Sequence, residues 1–473
     1  MNPTLTDASL DVPAIQESLA YLEQQLTQVL IEDGYGDLAK AFQQAQPNGH
    51  IQLAKVYSLF FQLLNVAEEL AVVRHRDQLE ETEGYDRVSG LWGHTFQSWK
   101  SEGISETEAL ERIKSTAIEP VFTAHPTESK RTTVLEQLNA LFDAFAAFKN
   151  TLATGEKEQA ERKIKATLHR LWLTGEVYLA KPTVADELRN IVHYLSRTLP
   201  AALEKTDFRF VEAWKKAGWQ TDIESMWRTW PQVTFGDWVG GDRDGHPFVT
   251  DAVTTSTLRE LRKTSLGLVR SRLVTLAKQL SFSETMVPPP ADFGQLIQER
   301  AQQFGEAGAR ALGRNRQEPW RQWANLLIAQ LPVSEAGELH EGEGRYTKAD
   351  DLVADLASLM DALHQANVAT LARTEILPVI RLVQTFGFHL AHLDVRQNSR
   401  FHDLAITQLM QAAHIRNADS FATWSEIDRL RFLEDELRSP RPFTADVSRL
   451  GEEAKQAVRT LQSLRQHRDA FGG

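Results

Sequence analysis

The sequence predicts a mainly α-helical protein that carries an α/β barrel element. Three observations predict it: apolar residues recur at helical spacing along most of the chain, three short segments break that rule, and those three lie far apart. Strands separated by long helical excursions cannot be hairpin neighbours, so parallel pairing with helices as crossovers follows. A TIM-type barrel with heavy helical decoration has this pattern. A helical bundle with three stray strands is the competing arrangement.

In chain order, the region 1–115 reads as helical. It opens Met1-Asn2-Pro3-Thr4-Leu5-Thr6-Asp7, without a basic leader or long apolar core, so a secretory signal is not expected. Its most apolar stretch, Val56 to Val73, is interrupted by Gln62, Asn65, Glu68 and Glu69 and is expected to fall short of a membrane span. The region 116–473 opens with the first strand, Ile118–Ala124. Ile164, Leu168, Leu171 and Trp172 then fall at i, i+4, i+7 and i+8, the apolar stripe of a helix. Gln232–Val239 is the second strand. Ser256 to Leu280 reads as a long helix, with Leu258, Leu261, Leu273, Leu276 and Leu280 recurring. Pro288-Pro289-Pro290 is expected to end a helical region, since prolines donate no backbone hydrogen bond. A loop-rich excursion is expected over 283–348. Within it, Pro288 to Tyr346 reads as a peripheral insertion with helices near Gln317–Gln330, and Val333 to Tyr346, rich in Gly and Glu, as solvated. Leu352, Leu356, Leu359 and Leu363 mark another helix, with Thr347 and Asp350 as its expected capping box. Phe386–Arg396 is the third strand.

With 42% apolar and 25% charged residues in 473, the composition is that of a globular protein. It excludes a wholly disordered chain, a collagen-like fibre and a multi-span membrane protein. Lys and Arg number 52 against 64 Asp and Glu, a net charge of −12, so counterion release from a phosphate backbone does not favour a nucleic-acid partner. The absence of cysteine excludes disulfides, thiolate zinc sites, iron–sulfur clusters and a cysteine nucleophile. The protein reads as cytoplasmic, with neither a membrane nor nucleic acid among its partners.

The chemistry is expected at the strand ends. Alternation along the third strand puts Phe386, Phe388, Leu390, His392, Asp394 and Arg396 on one face. A parallel barrel builds its active site at C-terminal strand ends, which makes Asp394 and Arg396 candidates. A buried Asp–Arg pair closing a core layer is the structural alternative. On the first strand Val121, Thr123 and His125 share a face, and Pro126 holds His125 extended where the strand ends. Thr127 can cap a following helix whose first turn holds Glu128, Lys130 and Arg131. Basic residues there oppose the helix dipole, so they face solvent or meet an anion bound at that terminus. The second strand runs into Trp238-Val239-Gly240-Gly241-Asp242-Arg243-Asp244-Gly245. Its glycines permit close backbone approach, and its Asp-Arg-Asp core can form a charge network or orient a phosphate. The spacing is that of neither a Walker nor a Rossmann loop.

Taken together, Thr123-Ala124-His125-Pro126-Thr127-Glu128, Trp238 through Gly245, and Leu393-Asp394-Val395-Arg396-Gln397 resemble phosphoenolpyruvate carboxylase in order and spacing. Leu63-Leu64-Asn65-Val66-Ala67-Glu68, Lys181-Pro182-Thr183 with Asp186-Glu187, and Glu436-Leu437-Arg438-Ser439-Pro440-Arg441-Pro442 extend the resemblance over nearly the whole chain. It implies an α/β barrel enzyme wrapped in helices, using a divalent metal, Mg2+, to carboxylate phosphoenolpyruvate with bicarbonate. The products are oxaloacetate and phosphate, by way of carboxyphosphate and the enolate of pyruvate. By the same resemblance His125 is the catalytic histidine and manages protons on carboxyphosphate. Arg396 holds phosphate oxygens with its fork, and Trp238 belongs to the bicarbonate region. Arg243 counts among the substrate-binding residues, although its loop reads more as scaffold. Gly240, Gly241, Asp242, Asp244 and Gly245 are that scaffold, with the two acids as partners of Arg243. A homotetramer is also implied.

The resemblance covers about half a family member and only the first three barrel strands. It implies that the metal-binding carboxylates, a catalytic lysine, a mobile glycine- and arginine-rich loop and the inhibitor-binding C-terminus belong to the half not seen here. An open sheet edge and the lack of metal ligands lead us to expect no appreciable carboxylation by this chain alone. Lys181 stands where arginine is expected, His246 where asparagine is usual, and Thr132 where a second arginine usually follows Arg131. Two readings follow. The chain is the N-terminal part of a carboxylase, working with a second half, or it is a non-catalytic binding or regulatory module. Retention of His125, Trp238 and Arg396 favours the first.

Overall fold

Helices make up 71% of the structure, a computed structural model that describes residues 12–44, 51–123, 131–175, 183–244, 248–440, 442 and 446–472. The chain divides into two compact units, each drawn from three separate stretches. The first gathers Met1–Ala109, His125–Pro182 and Phe208–Thr221; the second gathers Leu110–Ala124, Thr183–Asp207 and Asp222–Gly473.

In the first unit, helices Val12–Glu32, Ile51–Thr82, Thr132–Asn150 and Thr154–Leu173 share one core. The stripe Ile164, Leu168, Leu171 and Trp172 is buried in it, opposite Leu22, Leu26, Val56 and Leu63. The helix within Gln52–Thr82 is long and apolar enough to cross a membrane, contrary to the sequence expectation. Val56, Leu59, Leu63, Val66 and Leu70 lie in the core, so one face of it is already covered by protein. The helix after the first strand begins at Thr132, with Arg131 at its N-cap and no side-chain cap. Arg131 is therefore at the N-cap and not in the first turn, still beside the positive end of the helix dipole. Thr127, Glu128 and Lys130 lie outside the described residues.

The second unit is organised round helix Asp251–Gln279, whose start is capped by the Thr250 hydroxyl accepting the Val253 N–H at 3.3 Å. Leu261, Leu266, Leu273 and Leu276 are fully buried along it. Helix Pro319–Gln330 packs against this face and buries Trp320 and Trp323 completely. The interval 288–346 is thus part of the core, not a peripheral insertion, because its tryptophans carry more apolar area than a surface could expose. The stretch 283–348 is likewise helical over Ala291–Gln303, Gly305–Gly313 and Pro319–Gln330. The triple proline does not end the preceding helix, which stops at Gln279; Pro290 is the N-cap of the next. A proline suits that place because the first N–H groups of a helix have no partner to lose. Val333 and Tyr346 are buried, with mostly exposed residues between them. The expected capping box of Thr347 and Asp350 is absent: Lys348 is the N-cap of Ala349–Gln365 and makes no side-chain cap. A true one starts helix Val184–His193, where Thr183 accepts from the Asp186 N–H and Asp186 from the Thr183 N–H.

Among the described residues of this unit there are five two-residue strands: β1 (Ala117–Ile118), β2 (Val121–Phe122), β3 (Gln232–Val233), β4 (Gly236–Asp237) and β5 (His392–Leu393). β1 pairs with β3, and β4 lies between β2 and β5, all parallel. The N–H groups of Gln232, Thr234, Gly236 and Trp238 donate to Thr116, Ile118, Pro120 and Phe122 at 2.9 to 3.0 Å, so both small sheets continue one ladder. The three strand segments therefore occur where the sequence places them and run parallel, although each is shorter than expected. The third is the most changed. Helix Leu377–Phe386 runs to its first residue, Gly387 turns at φ 51°, Leu390 sits at φ 68°, and pairing starts only at His392. The expected single face over Phe386–Arg396 is consequently broken. Phe386, Phe388 and Leu390 are core residues, with Phe386 stacked on Phe235 at 5.5 Å, whereas His392 and Arg396 are exposed. A residue in the left-handed region reverses the path that strict alternation assumes.

Candidate active site

Trp238, Asp394 and Arg396 come together where the second and third strands end. Alternation puts Trp238 on the same face as Gly236, and Asp394 and Arg396 on that of His392, their partner across the ladder. The Trp238 indole N–H donates to Asp394 Oδ2 at 2.8 Å, which fixes the ring. The Arg396 guanidinium lies over that ring, 3.9 Å from its centroid. Arg396 is exposed and makes no ion pair among the described residues. Its backbone ties the loop down: its N–H donates to Gly241 O at 3.1 Å and its carbonyl accepts the Arg243 N–H at 2.9 Å.

Gly240 and Gly241 are required sterically. Gly240 has φ 82°, and a Cβ there would fall 2.1 Å from the Thr257 hydroxyl; at Gly241 it would fall 2.1 Å from the Asp394 carbonyl oxygen. The pair lets the loop press against both the third strand and helix Asp251–Gln279. Arg243 is buried and points into this packing. It donates to Gly241 O at 3.1 Å and to the Thr254 hydroxyl, which in turn donates to Gly240 O at 2.7 Å. Burial pushes its pKa below the usual arginine range, with Asp251 acting the other way. Asp242 and Asp244 are not its partners, contrary to the sequence expectation. Asp242 accepts the Asp244 N–H at 2.9 Å, and Asp244 accepts from the Asn398 side chain at 3.5 Å. His125 and Gly245 lie outside the described residues, as do Lys181 and His246.

Sequence reasoning missed Thr254 and Thr257, which receive the loop; their spacing on one helix was the available signal. It also missed Asp237, a fully buried carboxylate on β4 that accepts the Val239 N–H at 2.9 Å while its other oxygen has no hydrogen-bond partner among the described residues. Burial pushes its pKa up to about 7, helped by the Asp394 charge. Among the described residues no group of three or more Asp, Glu or His is placed to hold a metal ion.

The family model for phosphoenolpyruvate carboxylase matches residues 15–473. A phosphoenolpyruvate carboxylase of Methylorubrum extorquens is 29% identical over 431 residues, covering 88% of this chain and 45% of the relative. Those of Roseiflexus castenholzii and Paraburkholderia xenovorans are 29% and 27% identical, covering 82% and 92% of this chain but 42% and 44% of their own lengths. The chain thus spans about half the length of the curated relatives it matches. With a match over nearly all of its residues, the chain belongs to the phosphoenolpyruvate carboxylase family.

Proposed function

We propose that the protein carboxylates phosphoenolpyruvate with bicarbonate, forming oxaloacetate and phosphate. The single observation that carries this reading is the family match across residues 15–473. The phosphoryl group passes from the enol oxygen to bicarbonate, giving carboxyphosphate and the enolate of pyruvate. Carboxyphosphate then breaks to phosphate and carbon dioxide, and the enolate carbon attacks the latter.

In this scheme Arg396 grips phosphate oxygens, for which an exposed guanidinium seated over Trp238 and free of ion pairs among the described residues is suited. Trp238, pinned by Asp394, walls the bicarbonate side. His125 handles the proton of carboxyphosphate. Arg243, Gly240 and Gly241 hold the loop, and we assign Arg243 to that role because its guanidinium is buried in loop contacts. The parallel strands are read as the start of a TIM-type barrel over 116–473, after a helical region over 1–115; the side chains of Ile118 and Val121 on the first strand, 47% and 42% exposed, suit an edge awaiting a neighbour. Mg2+ bound by residues outside this chain, a homotetramer and a cytoplasmic location complete the proposal.

The test uses the protein at the full length its gene encodes, with phosphoenolpyruvate and 13C-bicarbonate. Oxaloacetate carrying one label in its new carboxyl group is expected by mass spectrometry. Phosphate release with unlabelled pyruvate alone would overturn the reading.

A further inference from the structure

A cleft of about 630 Å3 in the second unit shares no lining residue with the strands or the Trp238–Arg396 group. Three helices build it, each through one side. Arg270, Val274 and Lys278 come from Asp251–Gln279, Arg310 and Arg314 from Gly305–Gly313 and the residue after it, and Arg321 and Ile328 from Pro319–Gln330. Spacings of four, seven and eight bring each set to one side of its helix. Arg345 and Val333 close it from the following loop.

The charge of this cleft runs against that of the chain. Six Lys and Arg side chains line it and one acid, Glu335, does, in a protein of net charge −12. Arg310 faces Glu306 at 3.8 Å and Arg321 faces Glu318 at 3.2 Å. Arg270, Lys278, Arg314 and Arg345 make no ion pair among the described residues. Arg345 is nevertheless held in place, because it donates to the carbonyls of Ala329 and Leu331. Unpaired like charges gathered round one hollow repel one another, a cost that a bound polyanion removes. Between them the cleft is apolar and roomy, lined by Val274, Ile328 and Val333 with the small Ala277, Ala311 and Ala329. Its volume lies in the range of small-molecule pockets, roughly 300–1,000 Å3, and exceeds what a lone phosphate needs.

The geometry points to a binding site for an organic polyphosphate of nucleotide type. The phosphates meet Arg270, Lys278, Arg314 and Arg345 through charge-assisted hydrogen bonds, and the flat base lies on Val274 and Ile328. This site is independent of the carboxylation chemistry.

The test titrates the whole protein with a trinitrophenyl-labelled ATP and follows its fluorescence. Saturable binding is expected, weakened by added sodium chloride and displaced by ADP. Lys278→Gln with Arg314→Gln, both exposed and unpaired, is expected to weaken it by about tenfold or more, the worth of one lost charged hydrogen bond. Lys348→Gln with Arg416→Gln, exposed cations outside the cleft, is expected to change it less than about twofold. The charge-conserving pair Lys278→Arg with Arg314→Lys keeps binding. No saturable signal at millimolar probe, equal losses in the cleft and control pairs, or loss in the charge-conserving pair would overturn the assignment. So would displacement by polyglutamate at a lower charge concentration than by pyrophosphate, since the occupant would then be a polypeptide.

Discussion

Two polar clusters occupy the same face of the three parallel strands and differ in how their charges are answered. Toward the N-terminal side, Glu119 bonds to the His392 ring and accepts from the Thr234 hydroxyl at 2.6 Å. Those two partners, the hydroxyl first, hold its carboxyl below the usual glutamate range. Toward the C-terminal side, Asp394 is answered by Trp238, and among the described residues the Arg396 guanidinium meets the indole face and no carboxylate. The first cluster satisfies itself. The second leaves a guanidinium exposed and without an ion pair among the described residues. A parallel sheet offers both ends the same backbone, so the difference lies in the side chains and in the glycine loop that only the second end carries.

The comparison breaks first at its open end. In the complete enzyme His125→Asn is expected to lower kcat by about 10²–10⁴-fold, the usual worth of acid–base catalysis; a steady-state assay of oxaloacetate formation checks it, and near wild-type turnover would remove His125 from the chemistry. Arg396→Ala is expected to cost about 10²–10³-fold in kcat/KM for phosphoenolpyruvate, the loss of a bidentate charged contact. Its melting temperature should stay unchanged, because the side chain is exposed.

Asp237 tests the buried side of the same strand. Its folded pKa of about 7 lies above that of an unfolded aspartate, about 3.9, so the folded state binds more protons between those values. Stability contributed by this group therefore falls as pH rises from about 4 to 7 and stays low above. Asp237→Asn keeps an acceptor for the Val239 N–H and removes the charge. Its gain in stability is expected to grow from near zero at pH 4 to a few kcal/mol at pH 8; denaturant titrations at the two pH values measure it, and a gain independent of pH would place the carboxylate in an answered environment.

Gly241→Ala sharpens the role of the loop. A Cβ within 2.1 Å of the Asp394 carbonyl must push the third strand away, at a cost of about 1–3 kcal/mol. Activity should fall with stability, and an unchanged melt would mean that the loop yields freely. At the closed end Glu119→Gln is expected to cost less than about 1 kcal/mol and to leave turnover within about threefold, as exposed ion pairs do. A larger loss in an activity assay would erase the distinction between the two ends.

Much of this was legible in the residues. The stripe ending at Trp172, the leucines of 352–363 and the positions of three strand segments all follow from spacing within a segment. The glycine loop was legible as a close approach, though not what it approaches. Two pairs of the same spacing differ. Thr347 with Asp350, where the sequence led us to expect a capping box, has the pattern and no cap, whereas Thr183 with Asp186, for which no cap was expected, has both reciprocal bonds. The pattern is permissive, and only the entry angle of the chain decides whether the bonds close. The third strand misled for a related reason, since alternation cannot register a positive φ at Leu390.

By itself the sequence determined the helical class, the order of the strand segments, the family and the residues that can share a face. These depend on neighbours three, four or two positions away, which travel with the segment wherever it goes. The tertiary structure decided that Arg243 turns inward to Thr254 while Arg396 stays open. It also decided that Asp237 is buried with one oxygen unanswered among the described residues, and that three helix sides converge on one basic cleft. Those outcomes join residues tens to more than a hundred positions apart, and burial and charge at such meetings are properties of the packing, which no local period encodes.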